Sequence, residues 1–313
     1  MMKLRRLLPD EWDAVAELIH HSTNHWYEKN LNHGIFTGPP SVARVFPEVY
    51  EAMDPGNCIV AVDDGSGRLA GSCFVHPRET HFSLGIMNVH PDFGGHGVAR
   101  MILDEILRLA DEAELPVRLV SSALNLDSFS LYTRAGFVPR VAFQDMILPL
   151  PETGSALLPP PEGMERVRPA TASDVKAIAD LEMELANIRR ERDYAHFVEN
   201  ASGIWRLSVI ESAEQPGTIA GFLASVDHPG SNLLGPGVMH SDADALALIC
   251  AELDHHHRRG NSPVFLAPVD RSELVQELYR RGARNCELHF CQVRGKFTPF
   301  NGVVMPTFMP ETG

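Results

Sequence analysis

Cysteine is scarce in this chain, with five in 313 residues, at positions 58, 73, 250, 286 and 291. An odd and dispersed set argues against a disulfide framework and reads as reduced thiols of a protein expected to be cytoplasmic. Long apolar runs are missing too. No stretch approaches the length needed to cross a bilayer, so no membrane span is expected, and Pro9 interrupts the opening residues before a secretory apolar region could develop. Positive charge is in short supply: 27 Lys and Arg stand against 41 Asp and Glu, a formal net charge of −14. Phosphate backbones would be repelled overall, so nucleic acid is not expected as a partner.

What is present is ordinary for a globular protein, 44% hydrophobic and 22% charged. A sizeable core is available, and the length suits two domains. Local chemistry concentrates in one segment. Phe82, Leu84, Ile86 and Val89 alternate as in a strand, then Pro91, Gly94, Gly95 and Gly97 make a turn. Met101, Ile102, Ile106, Leu109 and Ala113 follow at helical spacing. The first N–H groups of a helix have no internal partners and carry partial positive charge, and glycines before them let an anion approach closely. The nucleotide-binding loop that ends in Gly-Lys-Ser/Thr is excluded because no lysine is present. The dinucleotide fingerprint is excluded because Arg100 stands where a third glycine belongs.

The pattern that remains, Gly95-His96-Gly97-Val98-Ala99-Arg100, resembles the pyrophosphate loop of the GNAT superfamily of acetyl-CoA-dependent N-acetyltransferases. A second motif strengthens the resemblance. Residues 124–137 run Leu-Asn-Leu-Asp-Ser-Phe-Ser-Leu-Tyr-Thr-Arg-Ala-Gly-Phe, similar to the Asn-x-x-Ala-x-x-Leu-Tyr-x-x-x-Gly-Phe segment after the family's fifth strand, with Ser128 in the alanine position. The resemblance implies that acetyl-CoA is the co-substrate and that no metal is needed. It implies that Gly94 through Arg100, with Asn125, Ser128 and Tyr132, contact the cofactor. It further implies that backbone N–H groups near Met87, Asn88 and Val89 serve the thioester carbonyl, and that the Tyr132 hydroxyl protonates the departing thiolate. The acidic surface is compatible with a cationic acceptor, a primary amine of a small molecule or peptide, attacking directly in a ternary complex. The protein is expected as a monomer or homodimer.

The sequence departs from the family pattern in two places. Gly94 stands where arginine or glutamine is usual. Residues 81–88, on the strand that often carries a glutamate base, hold no carboxylate; His81, Glu79 or a chain of waters remain as candidates for the base. Asn88 suits either a bulge in that strand or a solvent-facing edge. His20, His21, His25, Trp26, Tyr27 and His33 fall where the family builds its acceptor pocket, and could equally form a packed lid. His255, His256 and His257 close a helix, where cations complement the dipole. Cys286 and Cys291, an odd number of residues apart on a strand, do not suggest a zinc pair.

The pattern repeats with a period near 150 residues. The fold expected is α/β (α+β): two tandem GNAT folds, each a twisted, mostly antiparallel mixed sheet flanked by helices. Residues 1–148 form the domain with the intact loop, 149–164 a proline-rich linker, 165–298 a degenerate second domain, and 299–313 an extended tail. In the first domain, strands are expected at residues 2–8, 58–63 and 69–76, a helix from Pro9, and an irregular region over residues 20–55. In the second domain, residues 278–283 (Leu-Tyr-Arg-Arg-Gly-Ala) echo residues 131–136. The position of the glycine loop holds Asp242 and Asp244, and Ser272 replaces Asn125. Carboxylates at a helix start repel a pyrophosphate, so this repeat is expected to keep the fold without the cofactor. The absent base and Gly94 also leave a second reading, a non-catalytic module that binds or senses an acyl-CoA.

Overall fold

The computed structural model describes residues 1–151, 159–309 and 311–312. Residues 152–158 of the expected linker, and residues 310 and 313 of the tail, lie outside the described residues. The chain divides into two compact units: residues 1–119 with 228–231 and 308–312, and residues 120–227 with 232–307.

In the first unit, strands β1 (Met2–Arg6), β2 (Cys58–Asp63), β3 (Leu69–Pro77) and β4 (Phe82–Val89) pair antiparallel in chain order, and β4 pairs parallel with the start of β5 (Val117–Ser122). Helix α1 (Trp12–Leu31) buries Val15, Ala16, Leu18 and Ile19. Helix α2 (Val45–Met53) buries Val45, Phe46, Val49, Tyr50 and Met53, and α3 (Val98–Glu112) buries Val98, Ile102, Leu103, Ile106, Leu107 and Ala110. Residues 20–55, expected to be irregular, are thus largely helical. The apolar stripe of α1 ends at Ile19, so the periodic signal stops while the helix continues through polar residues to Asn32, whose left-handed backbone closes it. Pro47 conceals α2, yet it stands in the first turn, where its missing N–H costs no helical hydrogen bond.

In the second unit, the end of β5 is followed across the sheet by β12 (Arg284–Arg294), β6 (Val138–Ile147), β11 (Val264–Pro268), β10 (Ser231–Met239), β9 (Ile219–His228), β8 (Trp205–Glu211) and β7 (Val167–Pro169). Short β13 (Val303–Met305) lies on β10. The helices are α4 (Leu126–Arg134), α5 (Val175–Ala186), α6 (Glu191–Glu199), α7 (Asp242–His257) and α8 (Ser272–Arg280). Two strands have changed places relative to the repeats. β6 closes the first repeat but pairs with β11 of the second, Phe143 opposite Pro268. β12 closes the second repeat but lies between β5 and β6, with Ala123 N–H bonded to Leu288 O at 2.8 Å. The core beneath this sheet joins Met146 of β6 to Leu223, Leu234, Leu248, Leu253 and Phe265, all at 0–1% exposure. Apolar alternation is indifferent to which strand lies alongside, so this exchange conserves both faces.

Candidate functional site

Strand β4 is straight where it begins and irregular where it ends. It pairs with β5 only at Phe82–Val117 and Ser83–Arg118. On its other edge, Cys73 faces Met87 and Val75 faces Leu84, so β4 spends three residues where β3 spends two. The irregularity therefore sits at Gly85 and Ile86, earlier than Asn88. Asn88 pairs regularly with Ser72 and is buried. Its amide nitrogen donates to Ser22 Oγ at 2.8 Å and Thr23 Oγ1 at 3.1 Å, both on α1. Neither the bulge nor the solvent-facing edge expected of Asn88 is what the structure gives. The two hydroxyls supply partners for the amide nitrogen of this polar side chain in an apolar strand, while its Oδ1 is buried without a hydrogen-bond partner.

Beyond Val89 the chain is firmly held. His90 Nδ1 accepts from Asp92 N–H at 3.2 Å, and Arg68 donates to Asp92 at 2.8 Å. Gly95 and Gly97 both have φ +77, and a Cβ at either would meet nothing within 4 Å. The backbone is therefore left-handed and faces open space, a combination that favours glycine on conformational grounds alone. Gly97 is the N-cap of α3; no side chain caps the helix and its first turn holds no carboxylate. Gly94, His96 and Arg100 are exposed, Ala99 is half-buried and Val98 is buried. Arg100 extends into solvent, its Nε 3.7 Å from Asp104.

Asn125 and Ser128 are brought together at the start of α4, where Asn125 Oδ1 accepts the Ser128 N–H at 3.0 Å. That is an N-cap bond, which satisfies one of the orphan donors of the first turn. Tyr132 lies two turns on, 7% exposed, its ring 5.7 Å from that of Phe137. Gly136 has φ +89, as the end of this helix requires.

His81 is enclosed, at 1% exposure. Its Nδ1 is 3.0 Å from Thr80 Oγ1 and its Nε2 3.1 Å from Ser83 Oγ. Nearby in the same unit, Asp54 meets His76 Nδ1 at 2.6 Å and Arg78 at 2.8 and 3.0 Å, all buried. Burial pushes the Asp54 carboxyl up, but the His76 and Arg78 contacts together outweigh it and hold the group at about 2. The aromatic and imidazole residues of α1 make separate ring contacts. His20 stacks on Phe36 at 5.8 Å, His21 lies 5.1 Å from His90, and Trp26 meets Tyr27 at 5.0 Å.

The second repeat copies the strand pattern and closes it. β10 pairs with β11 only at Leu233–Val264 and Leu234–Phe265, as β4 does with β5. Past that point, Val303–Met305 of β13 is paired to Gly237–Met239, so the edge that is left after the strands part is occupied by the chain itself. The tail, expected as extended, supplies this strand. At the start of α7, Ser241 Oγ accepts the Asp244 N–H at 3.1 Å, and Asp244 is paired with Arg166 at 3.0 Å. This helix start is already satisfied internally and is acidic.

One cluster has no counterpart in the sequence reading. Asp145 of β6 and Glu287 and His289 of β12 share one face, with His289 Nδ1 2.9 Å from Asp145 Oδ1 and His289 Nε2 3.9 Å from Glu287 Oε1. One donor atom from each lies within 4.8 Å of the others, a spacing that a metal ion could also use. Ser122, at the end of β5, donates its hydroxyl to Glu287. The available signal was weak: Asp145, Glu287 and His289 stand in strands that also carry Gln144, Asn285 and Gln292. Only the pairing of β6 with β12 makes them neighbours.

Comparison with known proteins agrees with this architecture. Residues 54–139 match the family model described as an acetyltransferase (GNAT) domain. Three solved structures are similar over almost their whole lengths. A candidate acetyltransferase from Pyrococcus horikoshii is 14% identical with a TM-score of 0.69, covering 97% of this chain and 94% of that one. A GCN5-related N-acetyltransferase from Sphaerobacter thermophilus is 17% identical with a TM-score of 0.62, covering 96% and 97%. A tandem GNAT protein from the clavulanic acid biosynthesis pathway is 15% identical with a TM-score of 0.61, covering 95% and 100%. No curated protein matches in sequence. A GNAT acetyltransferase domain is thus matched over residues 54–139, and the fold of the whole chain is similar to that of GNAT structures. Its two repeats give it the fold of a tandem GNAT structure.

Proposed function

We propose that the protein is an acyl-CoA-dependent N-acyltransferase that uses acetyl-CoA and a primary amine, with the first repeat catalytic and the second without cofactor. The observation that carries this reading is the contrast between the two helix starts. Gly95 and Gly97 lead into an uncapped helix without carboxylates, whereas α7 is capped by Ser241 and bears Asp242 and Asp244. The strand edge after the parting of β10 and β11 is filled by β13, which leaves no backbone edge there for a pantetheine arm. The open Cβ directions at Gly95 and Gly97 fit a pyrophosphate.

When bound, acetyl-CoA supplies an activated acetyl thioester. The N–H groups from Gly97 to Arg100 hold its phosphates, and the β4 backbone over residues 87–89 orients the acyl end. Asn125 fixes the start of α4 and so the placement of Tyr132, whose phenol holds the proton that the leaving sulfur needs. The residues from His20 to His33 bound the acceptor side. The domain roles follow the repeats: residues 1–148 supply the loop, 149–164 connect, 165–298 keep the fold without the cofactor, and residues 303–305 of the tail close the second repeat. A panel of primary amines, assayed by release of the CoA thiol, tests the reading. Turnover of at least one amine supports it, and acetyl-CoA binding with no turnover across the panel would favour the sensing module instead.

A further inference from the structure

Within the second unit, strand β12 sets two carboxylates against each other. The register shifts at Cys286, and Glu287 then stands directly opposite Asp145 of β6. Like charges directly opposite on paired strands repel, and burial removes the water that would screen them. Here the Asp145 side chain is 6% exposed and that of Glu287 11%. His289, two residues beyond Glu287 on the same strand, shares its face. Its Nδ1 lies 2.9 Å from Asp145 Oδ1. A hydrogen bond to an ionised Asp145 puts a proton on Nδ1, so in the neutral ring Nε2 carries the lone pair. Nε2 lies 3.9 Å from Glu287 Oε1, too far for a hydrogen bond. That separation is close to twice a zinc–nitrogen or zinc–oxygen bond of roughly 2.0–2.2 Å. Ser122 of β5 donates to Glu287 and steadies its carboxylate.

We infer that Asp145, Glu287 and His289 form a binding site for a divalent transition-metal cation of the zinc class. Imidazole nitrogen and carboxylate oxygen are donors that such ions take. A carboxylate that accepts the other ring N–H is the usual support of a metal-bound imidazole, and Asp145 stands in that place for His289. One donor atom from each of the three residues lies within 4.8 Å of the others, so Asp145 is also in reach of the ion. Charge points the same way. An imidazolium balances one of the two facing carboxylates, whereas a divalent cation balances both and leaves the ring neutral. The partly exposed Glu287 leaves a path for solvent to complete the coordination. The bound ion ties β6 to β12 where the repeats have exchanged strands. The site is independent of acyl transfer, for which the GNAT resemblance calls for no metal.

The test uses the full-length protein, stripped with EDTA and returned to metal-free buffer. Cobalt(II), a spectroscopic stand-in for zinc, should bind at one tight equivalent per chain, and zinc should displace it. Glu287→Gln and His289→Gln should each weaken binding on the order of 100-fold or more. Asp145→Asn should weaken it on the order of 10–100-fold, the usual cost of losing a group that orients a ligand. A control with His255→Gln and His257→Gln together should bind as wild type does, which separates this site from the histidines that end α7. Amide hydrogen exchange locates the ion in the wild-type protein without any variant. Zinc should slow exchange over residues 143–147 and 285–291, and should raise Tm with its concentration. Absence of a tight equivalent in the wild-type protein would overturn the inference. So would unchanged affinity in Glu287→Gln or His289→Gln, or protection confined to residues 255–257.

Discussion

Replacing Gly97 by glutamate separates the two contributions that the loop makes. Gly97 has φ +77, so any side chain there adds about 1–2 kcal/mol of backbone strain. A Cβ would meet nothing within 4 Å, so no steric clash is added to that cost. A carboxylate at a helix start offsets it by roughly 0.3–1 kcal/mol. The net loss of stability is therefore small and falls equally on the free and bound protein. The effect on binding is different in kind. A new negative charge about 4 Å from a phosphate, at an effective dielectric near 20, costs about 4 kcal/mol, or nearly three decades in Kd. Gly97→Ala carries the strain without the charge and serves as the control. Calorimetric titration of acetyl-CoA, paired with thermal melts, reads both effects. The expected result is a similar small drop in Tm for the two variants, with binding lost only in Gly97→Glu. A Gly97→Glu protein that binds acetyl-CoA as tightly as wild type, at a lowered Tm, would refute the anion-site argument.

Tyr132→Phe removes a hydroxyl and keeps the ring against Phe137. Turnover should fall on the order of 10²–10⁴-fold with acetyl-CoA affinity nearly unchanged, as steady-state kinetics and calorimetry would show. Asp54 is held at about 2 against a usual 3.8, and a depressed carboxyl contributes stability that is present above its unfolded pKa and lost as pH falls through the folded one. Stability should therefore drop by about 2 kcal/mol between roughly pH 4 and pH 2 on this account, and a denaturation series in Asp54→Asn should lack that step. Asp54→Asn should also lower stability at neutral pH by about 3–5 kcal/mol, because Arg78 is left buried without its carboxylate.

The parts legible in the sequence are those where one local segment fixes its own geometry. Glycines before an amphipathic run mark the left-handed turns at Gly95 and Gly97, and Gly136 marks the end of α4. Asp242 and Asp244 mark a helix start hostile to phosphate. The tandem repeat was visible because each half restates the same order of strands and helices. What was not legible depends on partners distant in sequence. Residues of β6 and β12 alternate as any strand does, so nothing in them shows that they have exchanged neighbours, and the Asp145, Glu287 and His289 cluster stayed hidden. Asn88 read as an irregularity because Ser22 and Thr23, which accept from its amide nitrogen, lie on a helix more than sixty residues earlier. The polar half of α1 carries no apolar stripe, so its length was underestimated.

The central claim is that one repeat holds acetyl-CoA and the other, filled by its own strand, does not. A calorimetric titration of the full-length protein with acetyl-CoA tests this directly. The account predicts saturable binding at one equivalent per chain; two equivalent sites per chain, or none, would contradict it.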